Sequence, residues 1–480
     1  MDTAGLKQRH TPGEPQQVPP EPAIRQHPAG PAKHGGAKQA LRMFLFGLYF
    51  FGSCICINLS QFLGAPLYLI DKDWYYAWMA VTKQHFGLLI TTMTQWWSPT
   101  VVRISGDESV RGQLRQMPDG RVECDFPERL ILIANHQIYT DWLYLWWIAY
   151  TARMHGHLYI ILKESLKYIP IIGTGMQFFS FIFLSRRWAS DKPRFQHRLQ
   201  KLNGRHHGPM AGTHDVDPMW LLIFPEGTNL SHNGRVSSAR WAEKSGQSDL
   251  QHALLPRTTG LLFCLQELKD TVEYLYDCTV AYEGVPRGAY GQDLFTLKST
   301  YFEGRPPKSV NMHWRRFRIA DIPVSDTAAF EQWVLARWRE KDELLEEYLC
   351  TGRLPADEGV SLETKDKTRR EKSNGTTKPD AVEGIRGAGW IETEVRPRNP
   401  LEFLQIFVPG LAALLLANVA RVAWRLVATI LAGSSAAGKA AVPSVVATAG
   451  GEVGVGAGMG ATGVDAVVAT ATATGAAAVV

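Results

Sequence analysis

Residues 130–141 read LILIANHQIYTD. The apolar run 130–134 is long enough for a strand, too short for a helix, and has no polar face, so it fits a strand covered on both sides. It breaks at Asn135-His136-Gln137, and Asp141 opens the apolar stretch DWLYLWWIAY with Thr140 placed to cap it. A strand, a turn and a helix follow from these residues, with polar side chains collected where the strand ends. The same pattern recurs outward at 159–162 (YIIL), 180–184 (SFIFL), 221–224 (LLIF) and 278–282 (CTVAY), with helix-like segments between. This is α/β patterning, and it predicts one mixed, largely parallel sheet flanked by helices over residues 99–352. Residues 326–349, with Ser325 or Asp326 as cap and Gly352 as stop, supply a helix that closes the domain.

The rest of the 480 residues is organised differently. A hydrophobic fraction of 45% excludes a many-pass transporter, and six cysteines in so long a chain do not form a disulfide framework. The net charge of +5 is too small an excess to argue for nucleic acid. Residues 1–40, rich in Pro, Gln, His and Gly, are expected to be a disordered tail. Residues 41–98 are expected to form a membrane-embedded helical region. The stretch 43–70 carries no charge and exceeds the ~20 residues a bilayer crossing needs, with Asn58, Gln61 and Pro66 predicting a kink or break. The shorter run 86–97 predicts a re-entrant or interfacial helix, and Trp74, Tyr75, Tyr76, Trp78, Trp96 and Trp97 bracket both runs as headgroup-level rings. Lys33, Lys38 and Arg42 favour a cytoplasmic N-terminus. Residues 353–400 are expected to be a disordered charged linker, and 401–432 a C-terminal hydrophobic membrane segment. Pro409, Arg421 and Arg425 predict that this segment is two short helices. Residues 433–480 form a low-complexity tail. His206, His207, His214, Asp215 and Asp217 lie in a stretch with loop composition, and no metal is assigned there.

In an open α/β sheet ligands bind outside the carboxyl ends of the strands, so the polar residues that end these runs converge on one site. One turn of loop lets Asp141 fold back on His136. The carboxylate then fixes the tautomer and leaves the second ring nitrogen to take a proton from a hydroxyl; the alternative is a helix-start Asp beside an ordinary His. Arg186 or Arg187, after SFIFL, supplies a fixed cation for phosphate or a surface ion pair. Glu226-Gly227-Thr228 leaves its strand in a sharp turn; Gly227 permits close backbone approach, and a charged Glu226 would hydrogen-bond an acceptor hydroxyl or cap the turn. The run YIIL delivers Lys163 to the same edge. There is no G-x-S-x-G elbow and no Ser or Cys with an evident base, which argues for direct activation of a substrate hydroxyl.

Taken in order, NHQIYTD, KESLKYIPIIG, the Arg after FIFLS and then FPEGT resemble the glycerophospholipid acyltransferase family, which includes the 1-acylglycerol-3-phosphate acyltransferases. The wording NHQ-x3-DW, FPEGTNLS, LLPRTTGLLF and DCTVAYEG resembles the lysocardiolipin and lysophosphatidylinositol branch. The resemblance implies the glycerolipid acyltransferase fold and an acyl-CoA-dependent O-acyltransferase that remodels lysophospholipids. His136 would be the general base and Asp141 its orienting partner. Asn135, Lys163, Arg186, Glu226, Gly227 and Thr228 would bind substrate, and Pro170 and Gly173 match the stretch between motifs. Acyl-CoA would be a co-substrate, with no bound cofactor and no metal. The partners implied are a lysophospholipid acceptor and the bilayer, and the location is the endoplasmic-reticulum membrane, with the catalytic domain facing the cytoplasm if both apolar runs dip in and return and the lumen if one crosses completely. Asn229 stands where many phosphatidate-forming members have Arg, which weakens lysophosphatidate as acceptor. The alternatives are phosphatidate synthesis, a CoA-independent transacylase, and a silent lipid-binding protein of the same fold.

Overall fold

The computed structural model describes residues 26–214, 216–356, 360–362 and 389–439. The chain divides after Leu415 into two compact units. Strands in the first are β1 (Val101–Gly106), β2 (Leu114–Gln116), β3 (Val122–Cys124), β4 (Arg129–Ala134), β5 (Leu158–Lys163), β6 (Ile182–Leu184), β7 (Met219–Ile223), β8 (Tyr274–Tyr282), β9 (Ser309–Arg318), β10 (Val360–Leu362) and β11 (Ile391–Glu394). An eight-stranded sheet has the order β11-β1-β9-β8-β4-β7-β5-β6, and a small second sheet the order β10-β2-β3. Strands β8, β4, β7, β5 and β6 run parallel, as does β1 with β9; the β8–β9 and β1–β11 pairs are antiparallel. The mixed, largely parallel sheet expected from the apolar runs is therefore present, with the deciding run, β4, near its centre.

Helices are α1 (Gly36–Gly64), α2 (Leu67–Ile70), α3 (Lys72–Trp97), α4 (Asp141–Thr151), α5 (Ile172–Phe178), α6 (Trp188–Lys201), α7 (His232–Ser245), α8 (Thr258–Leu268), α9 (Gly291–Leu294), α10 (Thr327–Thr351) and α11 (Val408–Lys439). Strand alternation divides the core. Leu130, Leu132, Trp220 and Leu222 face one layer, packed with α4, α3 and the inner side of α1. Ile131, Ile133, Leu221 and Ile223 face the other, packed with α6, α8 and α10. Helix α4 is buried all round, so its sequence shows no polar stripe.

The membrane region departs from expectation in two ways. Asn58 and Gln61 do not break α1. Their side-chain amides donate to the Ile171 carbonyl at 2.8 Å and the Gly175 carbonyl at 3.3 Å, docking α1 on the KESLKYIPIIG corner. The helix ends only before Pro66. At that corner Gly173 permits a close approach, since a Cβ there would lie 2.3 Å from the Lys167 carbonyl oxygen. The run 86–97 is not a separate interfacial helix. It is the second half of α3, which starts at an Asp71 cap accepting from Asp73 and Trp74, and it is buried at Leu88, Leu89 and Ile90. Thr91, Thr92 and Thr94 are accommodated because each hydroxyl donates to the carbonyl four residues back.

Part of the expected linker also belongs to the fold. Its end, β11, pairs with β1 along Ile391–Glu394. Beyond it, the Arg398 amide donates to the Tyr150 hydroxyl at 2.7 Å, and Tyr150 donates to Glu402 at 2.5 Å. Phe403 packs on Tyr49 and Trp96. The C-terminal block is one long helix, α11, and not two short ones, because Pro409 falls in its first turn, where a missing N–H costs nothing. Gly36–Ile70 and Glu402–Thr429 are each long and apolar enough to cross a membrane. The expected disorder of 1–40 does not hold at its end, where α1 starts at Gly36 and the His27 ring bonds the Leu294 carbonyl at 2.9 Å; the rest of that tail, residues 363–388 and the low-complexity stretch from 440 lie outside the described residues.

Candidate functional site

Strand β4 delivers Asn135 and His136 to the carboxyl edge of the sheet. Asn135, expected to meet substrate, is fully buried and faces β8. Its side-chain nitrogen donates to the Val280 carbonyl at 2.9 Å and its oxygen accepts from the Val280 amide at 2.8 Å, so both polar atoms tie the ends of β4 and β8 together.

His136 is held from several directions. Its amide donates to Glu226 Oε1 at 3.3 Å, its carbonyl accepts from Leu230 at 2.6 Å, and its ring stacks on Phe224 at 4.3 Å. Nδ1 lies 2.7 Å from Asp141 Oδ2. The same oxygen accepts from the amides of Gln137 at 2.6 Å and Ile138 at 3.0 Å, and Oδ1 accepts from the Tyr282 hydroxyl. Asp141 is wholly buried, while the His136 side chain keeps 18% of its surface open. A carboxylate can only accept, so Nδ1 carries the hydrogen and Nε2 presents a lone pair. No protein group among the described residues bonds Nε2. The local H-x4-D pattern thus folds as expected, with Asp141 bonding the imidazole and closing its own turn at once.

Glu226 takes the second of the two roles the sequence left open, that of a capping carboxyl. It is 2% exposed, and it bridges two backbone amides, those of His136 and Leu254, each at 3.3 Å. Burial pushes its pKa up to about 8, against the two backbone amides that favour the charged form. Gly227 turns at φ +71, and its carbonyl accepts from Arg186 Nη2 at 2.8 Å. Arg186 itself sits at φ +66, and desolvation, then the nearby Arg257 guanidinium, hold its pKa below the ordinary arginine value. It is Arg186, and not Arg187, that turns back over the Glu226–Thr228 turn. The Thr228 hydroxyl reaches only Asn229, at 3.5 Å, and Asn229 is buried with its amide donating to Gln292. Lys163 ends β5 opposite Leu184, two strands from β4 and beside the Arg186 loop. Away from this edge, His206 Nδ1 pairs with Asp217 at 2.5 Å.

Two site residues escaped the sequence reading. Tyr282 was legible only as the end of the buried run CTVAY. Arg257 was legible only as the cation in LLPRTTGLLF just before α8; its side chain lies 3.5 Å from where a Gly227 Cβ would stand. Two guanidiniums therefore flank one glycine turn, and neither is paired with a carboxylate among the described residues.

The parallel-sheet edge thus carries a His–Asp pair whose second imidazole nitrogen is bonded by no described protein group and, beside the glycine turn, two arginines that lack carboxylate partners among the described residues. Residues 102–283 match the acyltransferase family, and residues 300–377 match the acyltransferase C-terminus family. The chain is 38% identical to an uncharacterized acyltransferase of Schizosaccharomyces pombe, over 69% of this chain and 92% of that one. It is 37% identical to the 2-acyl-1-lysophosphatidylinositol acyltransferase of Saccharomyces cerevisiae, over 65% and 85% of the two chains. It is 31% identical to lysocardiolipin acyltransferase 1 of Gallus gallus, over 66% and 76%. The chain belongs to the acyltransferase family, and it is an enzyme of that class.

Proposed function

We propose that the protein is an acyl-CoA-dependent O-acyltransferase that acylates the free hydroxyl of a lysophospholipid, with lysophosphatidylinositol or lysocardiolipin as acceptor. The observation that carries this reading is the His136–Asp141 pair with its unoccupied Nε2 at the sheet edge. His136 Nε2 takes the proton of the acceptor hydroxyl as that oxygen attacks the thioester carbonyl. The new C–O bond forms, the C–S bond breaks, and the coenzyme leaves as thiolate, to which the imidazolium returns the proton. Asp141, oriented by Tyr282, holds the ring and favours the imidazolium as it forms. Arg186 and Arg257 hold the acceptor phosphate beside the Gly227 turn. The names of the similar yeast and chicken proteins, and an Asn229 committed to Gln292, favour these acceptors over lysophosphatidate. We place the enzyme in the endoplasmic-reticulum membrane with its site on the cytoplasmic side.

The test is transfer from labelled oleoyl-CoA by membranes carrying the wild type or His136→Ala, against lysophospholipids that differ only in headgroup. Transfer to one headgroup, lost by at least ~100-fold in the variant, is the expected result. Substantial activity without His136 defeats the base assignment, and no transfer to any acceptor favours the silent lipid-binding alternative.

A further inference from the structure

A cavity of about 530 Å³ opens beside Glu226 and Thr228, walled by α7, the segment leading into α8, and α10. Its volume lies within the ~300–1,000 Å³ range of small-molecule sites, and the acceptor chemistry above uses only its rim. From α7, Arg240, Trp241 and Lys244 line it. Neither cation makes an ion pair among the described residues, and the Trp241 indole is 55% exposed. An uncovered indole with unpaired cations one and three residues away on the same helix offers a stacking platform for a flat base and positive charge for its phosphates.

The position selects between the two substrates. Helix α1, which carries the exposed apolar residues Phe44, Leu48, Phe51 and Phe62, and the largely buried α3 pack on one face of the sheet, while the core of α8 and α10 packs on the other. A water-soluble ligand enters from the α7–α10 side without crossing the membrane helices. Arg257 stands where the cavity meets the glycine turn, so a ligand held on α7 can extend its far end toward His136.

We infer that this cavity binds the 3′-phospho-ADP end of acyl-CoA, with Trp241 stacking on the adenine and Arg240 and Lys244 meeting the phosphates. The inference rests on the reading of acyl-CoA as donor and assigns the part of the chain that recognises it.

CoA and 3′-dephospho-CoA, titrated calorimetrically into the full-length protein in detergent, test it together with the KM for oleoyl-CoA. Arg240→Glu, Lys244→Glu and Trp241→Ala alter exposed side chains, and unchanged thermal unfolding verifies each variant. Each variant is expected to weaken CoA binding and raise the oleoyl-CoA KM about tenfold, with the acceptor KM moving far less. The preference of the wild type for oleoyl-CoA over oleoyl-pantetheine should collapse in the charge reversals. Unchanged CoA affinity in variants that still use oleoyl-CoA overturns the cavity assignment and leaves the donor reading intact, as does an increase confined to the acceptor KM. A wild type that neither binds CoA nor uses oleoyl-CoA overturns both.

Discussion

Asp141 accepts four hydrogen bonds, and only one comes from the imidazole it serves. Two backbone amides place the carboxylate, and the Tyr282 hydroxyl fixes its rotation. Removing that hydroxyl leaves Asp141 in place but less constrained, so Tyr282→Phe should lower kcat about tenfold with little change in either KM. Equal loss in KM would instead indicate a binding role. Glu226 makes a prediction about pH. Its proton is held more tightly in the folded chain, at about 8, than at its ordinary value of 4.5. The stability it contributes is therefore complete below pH 4.5 and is lost as pH rises through 8. Glu226→Gln, which removes the titration while giving up one of the two backbone amide bonds, should flatten that dependence. Thermal unfolding between pH 5 and 9 should show the wild type losing at least roughly 2–4 °C more than the variant.

At the level of elements, the polar residues inside apolar runs proved the hardest to read. Asn58 and Gln61 look like helix breakers in isolation, but they are docking groups whose acceptors lie on the α5 corner. Likewise, β11 is a four-residue strand beyond a charged stretch, and no local pattern tells it that β1 needs a partner. Together with the Arg398–Tyr150–Glu402 bonds and the Phe403 contacts, β11 makes the segment after the linker an integral part of the catalytic unit. A protease site engineered between residues 363 and 388 should therefore yield two fragments that still co-purify on an N-terminal tag in detergent. Separation before denaturation would show that these contacts do not hold the segment.

Across the whole molecule, the sequence was most legible where a local pattern and a tertiary role coincide. The run LILIA is apolar on both faces because β4 lies between two helical layers, and His136 with Asp141 falls at its end. Tyr282 was illegible because its partner is 141 residues away and its run reads equally well as plain core. The fold class and the His–Asp pair could be read because they are written within a dozen residues of one another; Glu226 could be located, but the choice between its two roles depends on amide partners 28 and 90 residues away. The pairing of β11 with β1 also bears on biosynthesis. Roughly 290 residues separate the two strands, which at ~5–20 residues per second is about 15–60 s of translation. During that interval α1 has already emerged and can engage a bilayer, while β1 waits with an open edge. The sheet therefore closes only after the ribosome has passed residue 394, and until then this edge of β1 is open to pairing with another chain.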